Sequence, residues 1–357
     1  MNFEQLLKDS VKEKASDIFI MPGLGLSLKV GGEIKATKGD VLKPEDTMRI
    51  IKEAYAMAER EPATLIDKGD DDFSVSVKGL SRFRISAFKQ RGSWAAVIRV
   101  VPFDIPDYKD FNISEDVMAI SGKTKGLVLV TGPAGGGKST TLACIIDRIN
   151  NTRNGHIITL EEPIEYLHRN SKSIISQREV RIDTEGYVPA LRAALRQSPD
   201  VILVGEMRDY ETISTALTAA ETGHLVISTL HSVGAANTVN RIIDVFPSSQ
   251  QQQVRVQLSQ LLQSVVSQKL IPSSSDKGNK LIPAFEIMHC NNAIRNMIRE
   301  NKVHQIDTVI NASSASDGMV GMDNSILKMF KSGQITKENA LAFAEIPELV
   351  ERKLKGV

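Results

Sequence analysis

An α/β fold with a mostly parallel sheet, preceded by a smaller α+β domain and followed by a helical C-terminal region, is what this sequence predicts. Three observations predict it. Short apolar runs (GLVLVT, HIITL, DVILVG and HLVISTL) alternate with helical stretches from Gly126 onward, which is the grammar of a parallel sheet. Before about residue 100, helical periods are mixed with alternating strands of antiparallel type, and from about Asn291 the pattern is nearly all helix. A chain of 357 residues suits roughly two domains.

Composition narrows the class. Lys and Arg number 44 against 43 Asp and Glu, a formal charge of +1, so there is no bulk electrostatic reason to expect a nucleic-acid partner. Hydrophobic residues at 41% and charged residues at 24% are ordinary soluble values. Cys144 and Cys290 are the only cysteines, too few for a disulfide framework or a four-thiolate zinc site, and fit a reducing cytosol. No run reaches the roughly 18 apolar residues of a membrane span. The start, MNFEQLLKDSVKEK, is polar and helical rather than a signal peptide, so neither export nor membrane insertion is expected.

Phe3, Leu6, Leu7 and Val11 recur at helical spacing; DIFIM and LSLKV alternate as strands ending at Gly31-Gly32, where a hairpin is expected. Pro44 with Glu45 and Asp46 opens a helix through about Ala58, since an early proline and early acids suit a helix N-terminus. FSVSVK, RFRISAF and WAAVIRVV read as three further strands, completing an α+β domain over 1–101. PFDIPDYKDFNI, with Pro102 and Pro106, lacks either period and is the linker, 102–114. The α/β core spans 115–290. After Pro247 a polar helix is expected with Val254, Leu258, Leu261, Leu262 and Val265 on one buried face. The region 291–357 is helical, interrupted by SSASDG.

The chemistry is concentrated at strand ends. GLVLVT runs into Gly132-Pro133-Ala134-Gly135-Gly136-Gly137-Lys138-Ser139-Thr140, which satisfies G-x-x-x-x-G-K-[ST] in its strand, loop, helix context. Glycines there turn backbone N–H groups around phosphate oxygens, Lys138 supplies a point charge and Ser139 can ligate magnesium. No Asn-Lys-x-Asp element of guanine-specific switches is present, which favours ATP. Glu161 and Glu162 end HIITL, and Glu206 ends DVILVG, where an open parallel sheet delivers residues to its ligand crevice. A carboxylate there can orient or deprotonate water, or hold a metal-bound water. His224 and His231 bracket HLVISTL seven residues apart, so on a regular strand they face opposite sides. His231, at the glutamate end, is the candidate γ-phosphate sensor; His224 reads equally as a satisfied structural histidine. Arg82, Arg84 and Arg99 lie in the first domain and read either as a solvated face or as groups reaching a phosphate across a domain or subunit boundary.

With these residues in place, the chain resembles the type IV pilus retraction ATPases, the twitching-motility PilT family within the secretion-type ATPase superfamily. GPAGGGKSTT resembles that family's phosphate loop, ITLEEPIEYLH its acidic box, LRQSPDVILVGEMRD its Walker B segment and GHLVISTLH its histidine box. RFRISAFKQRGSWAAVIRVVP resembles its first-domain arginine segment. The resemblance implies a RecA-like P-loop ATPase core, a PAS-like N-terminal domain and a homohexameric ring with ATP bound where domains and subunits meet. It implies Lys138 and Ser139 as phosphate and Mg2+ contacts and Glu161 as general base. Glu206 becomes the Walker B carboxylate, reaching Mg2+ through water, and His224 and His231 the histidine-box pair. Arg82, Arg84 and Arg99 become nucleotide contacts, and Glu162, Arg192, Arg196 and Arg208 join the functional set. As partners it implies the inner-membrane pilus platform protein and the assembly ATPase of the same machine, with a cytoplasmic location at the inner face of the membrane.

Departures and rivals are also legible. Ala134 and Gly136 replace the family's usual Thr and Ser, Glu162 its Asp, Phe19 a frequent His, and Ser232-Val233 its Thr-Asn. Assembly and secretion relatives carry a longer N-terminal region and a four-cysteine insertion after the segment matching SVVSQKLIP, where this chain has SSSDKGNK. AIRNMIRE (Ala293, Ile294, Arg295, Asn296, Met297, Ile298, Arg299, Glu300) resembles the C-terminal retraction motif. As an ordinary amphipathic helix it would bury Ile294, Met297 and Ile298 and expose Arg295 and Arg299. A RecA-like nucleic-acid translocase should add a basic, aromatic strand path, whereas Trp94 is the single tryptophan.

Overall fold

The computed structural model describes residues 2–37, 39–101, 105–275, 280–313 and 317–355. The chain divides into two units, 1–104 with 165–167, and 105–164 with 168–357. Of the expected linker, Pro102 lies outside the described residues, and 105–114 forms neither helix nor strand. Parts of SSSDKGNK and SSASDG, residues 276–279 and 314–316, are likewise outside them.

In the first unit the apolar face of α1 (Phe3–Lys12) buries Phe3, Leu6 and Leu7, and the Asn2 side chain caps it by accepting from Glu4 N–H. Strands β1 (Asp17–Ile20), β2 (Ser27–Val30) and β3 (Glu33–Ala36) are followed by α2 (Pro44–Met57), α3 (Ala63–Lys68), β4 (Asp70–Val77), β5 (Ser81–Gln90) and β6 (Ser93–Val101). The described strands form one antiparallel sheet in the order β3-β2-β1-β6-β5-β4. Gly31 and Gly32, at φ +60° and +87°, make the tight turn of the β2–β3 hairpin. The sequence does not announce β3, because every position of EIKA is exposed and no alternation marks it. The core is aliphatic and aromatic: Ile18, Ile50, Ile51, Tyr55, Phe73, Phe83, Ile85 and Ile98.

The second unit runs α4 (Glu115–Met118), β7 (Gly126–Thr131), α5 (Lys138–Thr152), β8 (His156–Glu161), β9 (Ile174–Glu179), α6 (Tyr187–Ala194), β10 (Val201–Val204), α7 (Tyr210–Glu221), β11 (Leu225–Leu230) and α8 (Ala235–Asp244). It continues through α9 (Ser248–Leu261), β12 (Leu262–Pro272), β13 (Leu281–His289), α10 (Asn292–Arg299), α11 (Ile306–Ala312), α12 (Met322–Lys331), α13 (Lys337–Phe343) and α14 (Pro347–Lys355). The sheet order is β13-β12-β7-β11-β10-β8-β9, with only β13 antiparallel to its neighbour among the described strands. β7, β10 and β11 are buried at every position, as strands covered on both faces should be.

The helix expected to run through Val265 ends earlier. Leu262 and Val265 do not share a helix face with Val254, Leu258 and Leu261: α9 stops at Leu261 and the next residues form β12 beside β7. Leu258, Leu261, Leu262 and Val265 fall at i, i+3, i+4 and i+7, so the first apolar positions of β12 happen to continue the helical spacing of α9. The β12–β13 pair then carries α12 and α13, through Ile271, Ile282, Ala284, Met322, Ile326, Met329 and Ala340. Parallel strands β7, β8, β10 and β11 all end on one edge, and the loops beginning at Gly132, Glu162, Gly205 and His231 gather there.

Candidate functional site

The loop after β7 is shaped by glycine. Gly132, Gly135 and Gly137 take φ of +145°, +71° and +81°, and Gly137 starts α5 at Lys138. Lys138 is buried, and its Nζ donates to Gly132 O at 2.9 Å and Pro133 O at 2.8 Å. The ammonium is therefore held inside its own loop, pointing where phosphate oxygens would replace carbonyls.

His231, just beyond β11, lies between two other candidates. Its Nδ1 is 3.4 Å from Lys138 Nζ, and its Nε2 is 3.4 Å from Glu206 Oε1. Glu206 Oε2 pairs with Arg208 at 2.7 Å, and this contact pushes the already high Arg208 pKa up. Lys138, His231, Glu206 and Arg208 thus form one line across three strand ends.

Glu161 is held from its own strand and from the neighbouring one. Thr159, two residues back on the same face of β8, donates its hydroxyl to Glu161 Oε1 at 2.6 Å, and Gln177 Nε2 on β9 donates to the same oxygen at 3.1 Å. Glu162 is exposed and pairs with Arg181 at 2.9 Å. Tyr187, at the start of α6, feels the acidic groups: burial first, then the charges of Glu162, Glu206 and Glu161, push its phenol pKa up. A Cβ on Gly205 would meet Tyr187 Oη at 2.9 Å and Leu160 O at 3.1 Å, which is why the strand end before Glu206 carries glycine.

Other sequence candidates lie elsewhere. His224 is at the opposite end of β11, about 20 Å away along a strand of this length. There its Nδ1 lies 2.9 Å from Ala219 O and 3.1 Å from Thr222 Oγ1. Arg192 and Arg196 are exposed on and after α6, with Arg196 donating to Arg192 O at 3.1 Å. In the first unit Arg84 faces Arg99 across β5 and β6; Asp72 pairs with Arg84 at 3.7 Å and Asp17 with Arg99 at 3.0 Å, offsetting the like charges. Arg82 is half-buried on the same face of β5 as Arg84. AIRNMIRE begins with Ala293 on α10, capped by Asn291. Ile294 and Ile298 are fully buried and Met297 partly so. Arg295 departs from the amphipathic-helix expectation: it donates to Ser259 O at 2.7 Å and Gln260 O at 2.8 Å, closing the C-terminal end of α9. Arg299 is exposed.

Sequence reasoning passed over Thr159, Gln177, Tyr187 and Gln268. Gln268 carries no distinctive signal, since its strand, LQSVVSQKLIP, also holds Gln263, Ser264, Ser267 and Lys269.

The loop after His231 is fixed from the β12–β13 pair. Gly234 N–H donates to Ser267 Oγ at 2.9 Å and Ala235 N–H to Glu286 Oε1 at 2.6 Å, so Glu286 sits at the N-terminus of α8. Burial pushes the Glu286 carboxyl up to about 7, assisted by the charges of Glu345 and Asp307. The folded chain therefore holds this proton more tightly than the unfolded one. Its contribution to stability is complete below the ordinary value of 4.5 and is lost as pH rises through about 7. Glu286→Gln, which keeps an acceptor but cannot ionise, is expected to flatten the fall in melting temperature between about pH 5 and about pH 8. The removed dependence is at most about 3 kcal/mol. Equal slopes for both proteins in a thermal-melt pH series would count against this account.

Among the described residues no cluster of His, Cys, Asp or Glu side chains could by itself hold a metal ion. Ser139 and Glu206 do offer the hard oxygen donors that suit magnesium, which takes few protein ligands and fills its shell with water and substrate phosphate.

The sequence model of the family described as "Type II/IV secretion system protein" matches residues 2–337. The chain is 43% identical over 348 residues to the type IV pilus retractation ATPase PilT of Pseudomonas aeruginosa, covering 98% of this chain and 99% of that protein. It is 47% identical over 277 residues to the twitching motility protein of Neisseria gonorrhoeae, covering 78% and 73%. Among solved structures, the pilus retraction motor PilT with bound ADP superposes with a TM-score of 0.89 at 44% identity, covering 99% of each chain.

Proposed function

The chain belongs to the type II/IV secretion system protein family and, within it, to the type IV pilus retraction ATPases, and we propose that it hydrolyses ATP to draw type IV pili in. The observation that carries this reading is the full-length likeness to a retraction motor, with Lys138, His231 and Glu206 meeting at the ends of three strands.

The chemistry is in-line attack of water on the γ-phosphate. Phosphate oxygens take the place of the Gly132 and Pro133 carbonyls as partners of Lys138, so its charge stabilises the transferred group. Glu161, fixed by Thr159 and Gln177, orients the attacking water and receives its proton. His231 reports the γ-phosphate by bridging Lys138 to Glu206. Ser139 and, through water, Glu206 would hold Mg2+, which supplies charge neutralisation on the phosphate oxygens. The role of Arg82, Arg84 and Arg99 as phosphate contacts rests on the likeness of their segment alone.

As a motor the chain acts in a homohexameric ring at the cytoplasmic face of the inner membrane, on the pilus platform protein and in opposition to the assembly ATPase. No helix among the described residues is long and apolar enough to cross a membrane, and the platform is the proposed means of attachment. Deletion of the gene followed by imaging of labelled pili tests the reading. Pili that extend and never shorten are expected. Bald cells would overturn retraction in favour of assembly.

A further inference from the structure

Gln268 lies on β12, one residue beyond Ser267, which is level with Thr131 at the end of β7. Gln268 is therefore directly behind the phosphate loop, and it is buried. Its backbone carbonyl stands 2.3 Å from where a Cβ on Gly132 would be and 3.5 Å from that of Gly136. Its side-chain Nε2 stands 2.8 Å from the Cβ position of Gly137. One residue thus occupies the space that Gly132 and Gly137 leave open and touches the position of Gly136. Its Oε1 accepts from the hydroxyl of Thr141, in the first turn of α5, at 2.7 Å, and Thr141 is fully buried. The next residue, Lys269, anchors the strand to the C-terminal helices, donating to Phe343 O at 3.3 Å and pairing with Glu345 at 3.7 Å.

A buried amide joined to a buried hydroxyl fixes both groups, because either one left alone loses its only low-cost arrangement. Here the fixed groups are the back of the loop and the helix that carries Lys138. We propose that Gln268 is a positioning residue for the phosphate loop: it sets the curvature of residues 132–137 and the first turn of α5 before nucleotide arrives, and so governs ATP affinity rather than turnover. Binding the triphosphate equally in ground and transition states is the signature of such a residue, seen as a change in KM with kcat kept.

This inference rests on the ATPase reading, and the experiment separates the two. Steady-state ATPase kinetics and melting temperature are measured for the full chain and for Gln268→Ala, Thr141→Val, Thr141→Ser and the Gln268→Ala/Thr141→Val double variant. Thr141→Val removes the same hydrogen bond without changing shape. KM for ATP is expected to rise about tenfold in Gln268→Ala and Thr141→Val, with kcat within about threefold of the parent. Thr141→Ser, which keeps the hydroxyl, should stay near the parent, and the double variant should be no worse than the worse single one. An unchanged KM with falling kcat and melting temperature overturns the positioning role and leaves the ATPase reading intact. A parent chain that neither binds nor hydrolyses ATP overturns both.

Discussion

Lys138→Ala is expected to abolish ATP retention and to lower phosphate release by about a thousandfold, the scale on which single preorganised charges act in phosphoryl transfer. Lys138 Nζ is buried and donates to two loop carbonyls. Alanine leaves the carbonyls of Gly132 and Pro133 facing each other and the incoming phosphates with no cation between them. It also removes one side of the bridge through His231 to Glu206. Labelled-ATP retention and inorganic-phosphate release on the assembled protein provide the readout. A variant with half of the parent activity would remove Lys138 from the site.

Glu161→Gln should have an effect of similar size on turnover and little on binding. Gln177 and Thr159 donate to Oε1, and an amide oxygen can still accept both, so the side chain should keep its place while losing the capacity to take a proton. A fall in kcat of about a thousandfold, within the range of general-base loss, should come with ATP bound as tightly as in the parent. Glu162→Gln is the matched control: that carboxylate is exposed and paired with Arg181, so its loss is expected to change kcat by less than about twofold. If Glu161→Gln turns over normally while Glu206→Gln does not, the water-orienting role belongs to Glu206.

Local pattern accounts for much of the fold. The four apolar runs from GLVLVT to HLVISTL became neighbouring parallel strands because each is mostly apolar; β7, β10 and β11 lead into helices, and β8 leads into the edge strand β9. Where pattern failed, the cause is specific. EIKA forms the exposed edge strand β3 with no buried face to mark it. The SVVSQKLIP and LIPAFEIMH runs form the β12–β13 pair, which periodicity alone cannot separate from helix. That same pair holds the groups behind the site: Gln268 against the phosphate loop, and Ser267 and Glu286 at the start of α8.

By itself the sequence determined the loop before Lys138, the strand-end glutamates and the placement of His224 and His231 at opposite ends of one strand, because each is a spacing within a single segment, and the family likeness, because it is a set of such segments. Tertiary structure alone decided that His231 lies between Lys138 and Glu206, that Thr159 and Gln177 grip Glu161, and that Tyr187 lies amid the acidic groups. It also decided that Arg295 closes the end of α9. Apart from the Thr159–Glu161 bond within one strand, those contacts join residues far apart in the chain, and their distances follow from sheet order and register, which no local spacing encodes.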